Sequence, residues 1–146
     1  MTPKTMAALA LAGLLAFVPA VAVLADTAAD QAVSARQAAM KMDGRVLRGA
    51  SNFTGDKAIA ALTTVRDNYS KLPSLFPKDS ITDKSIALPV IWEQFDHFSG
   101  IFKKGAAAAE EGIAAVKAGD MAKYKAAVKT IADTCTECHT TYRGEL

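Results

Sequence analysis

The sequence predicts an all-α protein, folded as an antiparallel up-down-up-down four-helix bundle. Apolar residues recur at alternating spacings of three and four in four separate segments, which is the period of amphipathic helices. Most of these segments are linked by short turns, so neighbouring helices are expected to run antiparallel. Strand-like alternation of apolar and polar residues is scarce. A different arrangement of the same helices is the alternative.

Residues 1–25 have the pattern of a secretory signal peptide. Lys4 supplies a positive charge, an apolar core follows, and small residues precede a cleavage site before Asp26. Cleavage after Ala22 is a nearby alternative. Residues 5–25 are uncharged and long enough to cross a bilayer, so a retained membrane anchor is the other interpretation.

Residues 26–146 form the predicted mature domain, which is long enough to bury a modest core. Without the single lysine of the leader, 16 basic and 15 acidic residues remain, so the domain is close to neutral. It has no basic cluster and no stripe of basic and aromatic residues, so binding to nucleic acid is not expected. Stable insertion into a membrane is not expected once the leader is cleaved.

The first two helices are separated by a short turn. The first is predicted over residues 27–50, and a turn over residues 51–55 follows. The inner face of the first helix would carry Val33, Arg36, Met40 and Leu47. Asp56 is expected to open the second helix, and Pro73 to end it. The apolar stripe of the second helix is Ile59, Leu62, Val65, Tyr69 and Leu72.

The last two helices follow the one long irregular segment, residues 74–88. Pro89 is expected to start the third helix, because a missing backbone N–H costs least in the first turn. Its stripe is unbroken and comprises Ile91, Phe95, Phe98, Phe102, Gly105, Ala109, Gly112 and Val116. Gly119 and Asp120 form a short turn and helix cap. The fourth helix continues the alternation with Met121, Tyr124, Val128, Ile131, Cys135, Cys138 and Tyr142.

The strongest chemical signal is the run Cys135-Thr136-Glu137-Cys138-His139 in the fourth helix. Because successive helical residues turn by about 100°, Cys138 lies about 60° from Cys135 on one side and His139 about 40° on the other. Two thiols and an imidazole therefore project from one face. C-x-x-C-H is the attachment signature of a c-type haem, in which the thiols bind covalently and the histidine binds iron. The sequence predicts one covalent haem, with His139 as an axial ligand.

Other uses of two nearby cysteines are less consistent with this chain. A disulfide between Cys135 and Cys138 would close a very short loop and constrain the chain little. A thioredoxin-like dithiol needs a βαβ context, which the helical pattern does not supply. A zinc site usually has four ligands, and only the distant His97 is available as the fourth.

The second axial ligand decides the function, and a methionine is the candidate. Of five methionines, two leave with the leader. Met121 lies fourteen residues before Cys135 on the same helix, about 21 Å away along its axis, which is too far. Met40 and Met42 are about 200° apart around the first helix, so only one can face the haem. Met40 shares the inner stripe and is the candidate; the alternative is a core methionine that does not bond to iron.

The small residues of the third helix have two open interpretations. The small residues Gly105, Ala109 and Gly112 make room either for the haem or for close helix packing. His97 falls between the stripe positions Phe95 and Phe98, so we expect it to be partly exposed.

The mature chain resembles the cytochrome c′ family, the class II c-type cytochromes, over essentially its whole length. The residues that carry the resemblance are Cys135-x-x-Cys138-His139 followed by Tyr142-Arg143, and Arg36-Gln37-Ala38-Ala39-Met40 followed by Gly44-Arg45. The resemblance implies an up-down-up-down bundle with one covalent haem c per chain.

The family has a low-spin branch that carries electrons and a high-spin branch that binds small gases. Low-spin members place a helix A methionine on the iron, and Met40 falls at that position. Residues 72–77 and the pair Ile91-Trp92 also resemble the low-spin branch. The resemblance implies a periplasmic single-electron carrier that is not an enzyme. The alternative is a five-coordinate protein that binds nitric oxide or carbon monoxide, with Met40 only lining the site.

The resemblance also suggests roles for two arginines and for partners. Arg36 would pair with a haem propionate; the alternative is a solvated helix residue. Arg143 would lie beside the proximal imidazole of His139 and raise the haem potential, or simply favour the helix dipole. The expected partners are redox proteins of the periplasm, and a homodimer is a further expectation because family members often dimerise. A peroxidase-like enzyme would need a distal acid–base group, and only His97 is spare.

Overall fold

The computed structural model describes residues 27–145, and the predicted leader, including its cleavage site, lies outside them. The helices are α1 (Ala28–Leu47), α2 (Gly55–Lys71), α3 (Val90–Glu93), α4 (Phe95–Ala118) and α5 (Met121–Tyr142), with 3-10 helices at Ala50–Asn52 and Leu72–Leu75. The four long helices form an antiparallel four-helix bundle, which confirms the predicted fold class. Helix α2 packs against α1 and α4, and α4 packs against α5. Within the described residues, no helix has the length and apolar character needed to span a membrane.

The helix ends follow from local capping residues. The Thr27 side chain accepts a hydrogen bond from the backbone N–H of Asp30 (3.1 Å) and caps α1. Asp120 caps α5 in the same way through the N–H of Lys123 (2.9 Å). Gly119 ends α4 in the left-handed region, at a φ of 76°, where glycine carries no Cβ penalty. The predicted turn and cap between the last two helices are therefore confirmed.

The first two helices differ from prediction mainly at their ends. Helix α1 stops at Leu47 instead of residue 50, and α2 begins at Gly55, one residue before the predicted Asp56. Helix α2 ends at Lys71 and continues as the 3-10 helix Leu72–Leu75, which contains Pro73 near its start. The predicted stripe of α2 is buried except for Ile59, which is partly exposed.

The predicted third helix is wrong in one respect, because it is interrupted at Gln94. That residue has a φ of −122° and a ψ of 35°, outside the helical region, and it separates the short α3 from α4. The interruption breaks the phase of the apolar stripe. Phe95, predicted to face the core, is 38% exposed, whereas Ile91 and Phe98 on either side are buried. The indole N–H of Trp92 donates to the carbonyl of Phe76 at 3.0 Å and ties α3 to the preceding segment.

Two glycines of α4, Gly105 and Gly112, serve close packing between helices. A Cβ added at Gly105 would lie 2.6 Å from Cδ2 of Tyr69, and one at Gly112 would collide with the side chain of Leu62. Both neighbours belong to α2. Of the two interpretations of these small residues, helix packing is therefore the one that the structure favours, and the haem site lies elsewhere in the bundle.

Candidate haem site

The cysteines and the histidine of the C-x-x-C-H motif lie in the last turns of α5. Cys138 is buried, and His139 and Cys135 are partly buried. Cys138 and His139 line a cavity between α5 and the opposite side of the bundle. His139 also lines an adjoining groove together with Cys135. His139 thus borders both the cavity that Cys138 lines and the groove that Cys135 lines.

The cavity has a volume of about 330 Å³, within the range of small-molecule and cofactor sites. Its walls come from α1, the 76–87 segment, α3, α4 and α5. Among the lining residues are Arg36, Met40, Phe76, Ile91, Phe98 and Tyr142. The cavity therefore brings together Arg36 and Met40 of the first helix with Cys138 and His139 of the last, residues that are about a hundred positions apart in the chain.

The methionines separate as their spacing predicts. Met40 is partly buried and lines the cavity, whereas Met42 is 41% exposed. Met121 is at the opposite end of α5 from the motif, packed against the core. Met40 is thus the one methionine of the described residues that shares a cavity with His139.

The residues around the cavity fit a haem. Phe76, Ile91 and Phe98 supply apolar walls suited to a flat macrocycle. Arg36 is a buried cation at the cavity, and within the described residues its hydrogen bonds go to uncharged carbonyl and hydroxyl oxygens, so a propionate would supply an anion there. A neutral imidazole, two thiols and a thioether complete the set of groups that bind haem iron and haem vinyl carbons.

Arg36 is 3% exposed, so the solvated alternative for this residue is wrong. Its guanidinium donates hydrogen bonds to Leu75, Ser80 and Ser85 and lies over the ring of Phe76 at 4.4 Å. Burial lowers the pKa of Arg36 from its usual value, although a guanidinium stays protonated in proteins. Pairing of Arg36 with a propionate stays a prediction.

Burial also sets the protonation of the motif. It raises the pKa of Cys138 to about 12, with the neighbouring Cys135 adding to the shift, so the free thiol stays protonated. Burial lowers the pKa of His139, and the positive charge of Arg143 lowers it further. Both effects favour the neutral imidazole, which is the form that binds a metal.

A polar contact joins the motif to α2. The hydroxyl oxygen of Tyr69 lies 3.2 Å from Sγ of Cys135 and 3.3 Å from Oγ1 of Thr134. Tyr69 is buried, and burial together with the charge of Cys135 raises the pKa of its phenol. The neutral phenol is therefore held against the sulfur that the motif assigns to haem attachment.

His97 lies outside the cavity, as its spacing predicts. Its side chain is 59% exposed, and Nδ1 lies 2.7 Å from the hydroxyl of Tyr142. Tyr142 lines the cavity and also donates to Oε1 of Gln94 at 3.1 Å. Arg143, the next residue, is exposed and forms an isolated backbone bridge with Ala87.

Some polar residues that the sequence did not single out are buried or partly buried, among them Asp43, Ser80 and Ser85. Asp43 on α1 is 3% exposed and accepts a hydrogen bond from Asn68 at 2.7 Å. Ser80 is fully buried, and Ser85 is partly buried; both bind Arg36. Serines in an irregular segment carry no periodic signal, so only a search for partners of a buried arginine could have indicated them.

The fold and the motif together define a class of protein: a c-type haem protein built on a four-helix bundle. The sequence model described as Cytochrome C' matches residues 27–143. Cytochrome c-556 of Agrobacterium tumefaciens (strain II Chrys) is 37% identical over 98 residues, covering 67% of this chain and 79% of that protein. Cytochrome c' of Rhodopseudomonas palustris is 33% identical over 121 residues, covering 77% of this chain and 82% of that protein. The chain belongs to the cytochrome c′ family.

The solved structures agree with this membership. The structure of cytochrome c' from Rhodopseudomonas palustris superposes with a TM-score of 0.68 at 30% identity, covering 78% of this chain and 96% of that one. The predicted cofactor is thereby confirmed as the covalent haem c of the family. Within the described residues, no cluster of three or more His, Cys, Asp and Glu side chains forms a metal site, and Cys135 and Cys138 form no disulfide.

Proposed function

We propose that this protein carries single electrons through a haem attached to Cys135 and Cys138, with His139 and Met40 as the axial ligands. The observation that carries this proposal is that Met40 and His139 line one cavity, although they belong to different helices. Met42, two residues from Met40, is exposed to solvent and provides no competing thioether.

The haem supplies one-electron chemistry between ferrous and ferric iron, and the chain tunes it. A neutral His139 and a thioether from Met40 suit both oxidation states, and a methionine ligand raises the potential. Phe76, Ile91 and Phe98 limit the access of water to the site. Arg36, within the same cavity, is the residue we expect to bind a propionate.

The remaining parts of the proposal concern the cellular role. We infer that the protein acts in the periplasm after cleavage of its leader and exchanges electrons with other redox proteins there. It would transform no substrate, so we regard it as a carrier and not as an enzyme. A homodimer is the expected assembly.

The alternative function is binding of nitric oxide or carbon monoxide at an open sixth position. The apolar side chains that line the cavity together with Met40 favour this alternative, because they would accommodate a small apolar gas. In that case Met40 would line the site without bonding to iron.

Absorption spectra of the purified oxidised and reduced protein separate these functions. Electron transfer predicts a low-spin ferric spectrum with the weak iron–thioether band and little binding of carbon monoxide to the reduced protein. Replacement of Met40 with Ala should convert this spectrum to high spin, whereas the matched variant Met42→Ala should not. A high-spin wild-type spectrum with ready binding of carbon monoxide would refute the carrier function.

A further inference from the structure

The guanidinium of Arg36 joins α1 to a segment far along the chain. Nη1 donates to the carbonyl of Leu75 (3.1 Å) and to Oγ of Ser80 (2.8 Å), and Nη2 donates to the carbonyl of Ser80 (2.8 Å) and to Oγ of Ser85 (2.7 Å). Both N–H groups of each terminal nitrogen are thereby used, which leaves the Nε–H as the donor for a propionate. Hydrogen bonds from a charged donor are stronger than those between neutral groups. Arg36 is therefore a major buried connection between α1 and residues 75–85.

Residues 76–88 have little regular structure of their own. Backbone hydrogen bonds within the segment form turns, such as those from Ser80 to Pro77 (3.0 Å) and from Ser85 to Thr82 (2.9 Å). Residues 86–88 are also bound to the end of α5, through the bonds from Leu88 to the carbonyl of Tyr142 (3.0 Å) and from Gly144 to the carbonyl of Ile86 (2.7 Å). A further contact with α1, from Gln37 to the carbonyl of Lys84 (2.9 Å), is exposed. A buried hydrogen bond is less subject to competition from water than an exposed one. The position of residues 76–85 therefore depends strongly on the buried contacts of Arg36, whereas residues 86–88 are also held by the end of α5.

The same segment forms part of the wall of the cavity that Met40 lines. Phe76, Ser85, Ile86 and Ala87 line the cavity together with Met40, which lies one helical turn after Arg36. The ring of Phe76 also stacks under the guanidinium at 4.4 Å. A methionine side chain has three rotatable bonds and adapts to the space around it. The sulfur of Met40 is therefore fixed in one orientation only if neighbouring groups block the other orientations.

We propose that Arg36 is a positioning residue for the sixth iron ligand. By fastening residues 75–85 to α1, it closes the wall beside Met40 and keeps the thioether directed into the haem cavity. The inference rests on the proposed function, because it takes Met40 to be a ligand. This positioning role differs from pairing of Arg36 with a propionate, because it depends on the acceptors Ser80 and Ser85 and not on positive charge alone.

The test uses the haem-loaded protein with two kinds of variant. The double variant Ser80→Ala/Ser85→Ala removes both side-chain acceptors and leaves Arg36 in place. Arg36→Lys retains the charge but loses the planar fork that reaches several acceptors at once. Ser74→Ala is the matched control, because its exposed hydroxyl donates only to the nearby carbonyl of Lys71 (2.7 Å). Ser80→Ala alone serves as the milder variant if the double variant does not fold, because the Ser85 hydroxyl also accepts a hydrogen bond from the backbone N–H of Ala87 (3.2 Å).

Three measurements are made on each protein: the ferric absorption spectrum, the affinity of the ferrous protein for carbon monoxide, and hydrogen exchange of the amides of residues 76–85. In the double variant and in Arg36→Lys, we expect a new high-spin fraction and faster exchange of this segment. Affinity for carbon monoxide should rise about tenfold, the effect of losing roughly one hydrogen bond to a charged group. Ser74→Ala should match the wild type in all three.

Two results would overturn the proposal. If the double variant retains the wild-type spectrum and exchange rates, Ser80 and Ser85 do not position the ligand. If Arg36→Lys behaves as the wild type, charge alone suffices and the propionate role accounts for Arg36. A wild-type protein that is itself high-spin would instead refute the proposed function and, with it, the ligand role of Arg36. Hydrogen exchange in the double variant would then still report separately whether Arg36 fastens the segment.

Discussion

The hydroxyl of Tyr69 on α2 lies 3.2 Å from Sγ of Cys135 on α5. The ring reaches α5 because Gly105 on the intervening α4 has no side chain, and a Cβ there would overlap the ring. Residues on three helices therefore hold the sulfur at which we expect the haem to be attached. This contact lies outside the pattern by which c-type haem attachment is usually identified, and it connects the packing of the bundle to the haem.

Replacement of Tyr69 with Phe tests this connection. The variant loses a buried hydroxyl that contacts Cys135 and Thr134, so we expect the free energy of unfolding to fall by about 1 kcal/mol. We also expect a shifted reduction potential, because the polarity next to the haem sulfur changes. Denaturation by guanidinium chloride and redox titration of the holoprotein measure the two effects.

The control is Tyr124→Phe, because the hydroxyl of Tyr124 donates to the carbonyl of Ala50 (2.6 Å) and not to the motif. This variant should lose similar stability with an unchanged potential. Equal potentials in both variants and the wild type would show that the Tyr69 hydroxyl has no influence on the haem.

Replacement of Gly105 with Ala should destabilise the protein. The added methyl group would overlap the ring of Tyr69, and overpacking of a core costs about 1–3 kcal/mol. Gly100→Ala is the matched control on the same helix, since a Cβ there meets no atom within 4 Å. Alanine favours a helix by up to about 1 kcal/mol over glycine, so the control should be neutral or more stable. Thermal unfolding of both variants checks the difference, and similar loss in both would contradict it.

The buried carboxyl of Asp43 should make stability depend on pH. Burial raises its pKa to about 6, against the smaller opposite effect of the hydrogen bond from Asn68. Oδ2 of Asp43 has no hydrogen-bond partner within the described residues. Between about pH 4 and pH 6 the folded protein retains a proton that the unfolded chain has released, so the free energy of unfolding falls as pH rises.

Asp43→Asn removes this titration. We expect the variant to be more stable than the wild type by about 2–3 kcal/mol at pH 7, with most of this difference lost by pH 4. Unfolding of both proteins by guanidinium chloride between pH 4 and pH 7 isolates the effect of Asp43, because all other titrating groups are the same in both. A stability difference independent of pH would argue against a raised pKa.

The charge of Arg143 should influence the haem potential. Arg143 lies one helical turn after His139, and its positive charge disfavours a second positive charge nearby. Because ferric iron carries one more positive charge than ferrous iron, Arg143→Gln should lower the reduction potential, by roughly 20–40 mV for an exposed charge. Lys129→Gln, ten residues before His139 on the same helix, is the control and should change the potential less. Equal shifts in both variants would indicate a general effect of net charge.

Much of the fold follows from interactions within one or two helical turns. The capping of α1 by Thr27 and of α5 by Asp120 depends on residues three positions away, so the sequence predicts both. The break at Gln94 was not predictable in this way. In the sequence, the apolar stripe continues across Gln94 without a break. In the structure, the indole of Trp92 binds the carbonyl of Phe76. This long-range contact orients α3, so α3 does not continue the helical turn of α4.

The haem site shows the same difference between local and long-range contacts. The sequence by itself determined that two thiols and an imidazole occupy one face of a helix, because a helix fixes the angles between residues three and four apart. It also separated Met40 from Met42 by the same rule. Only the tertiary structure decided what surrounds these groups: Arg36 binds acceptors 39 to 49 positions later, and Tyr69 contacts a sulfur 66 positions later. Contacts between distant segments depend on how the helices pack, and no local pattern in the chain encodes that packing.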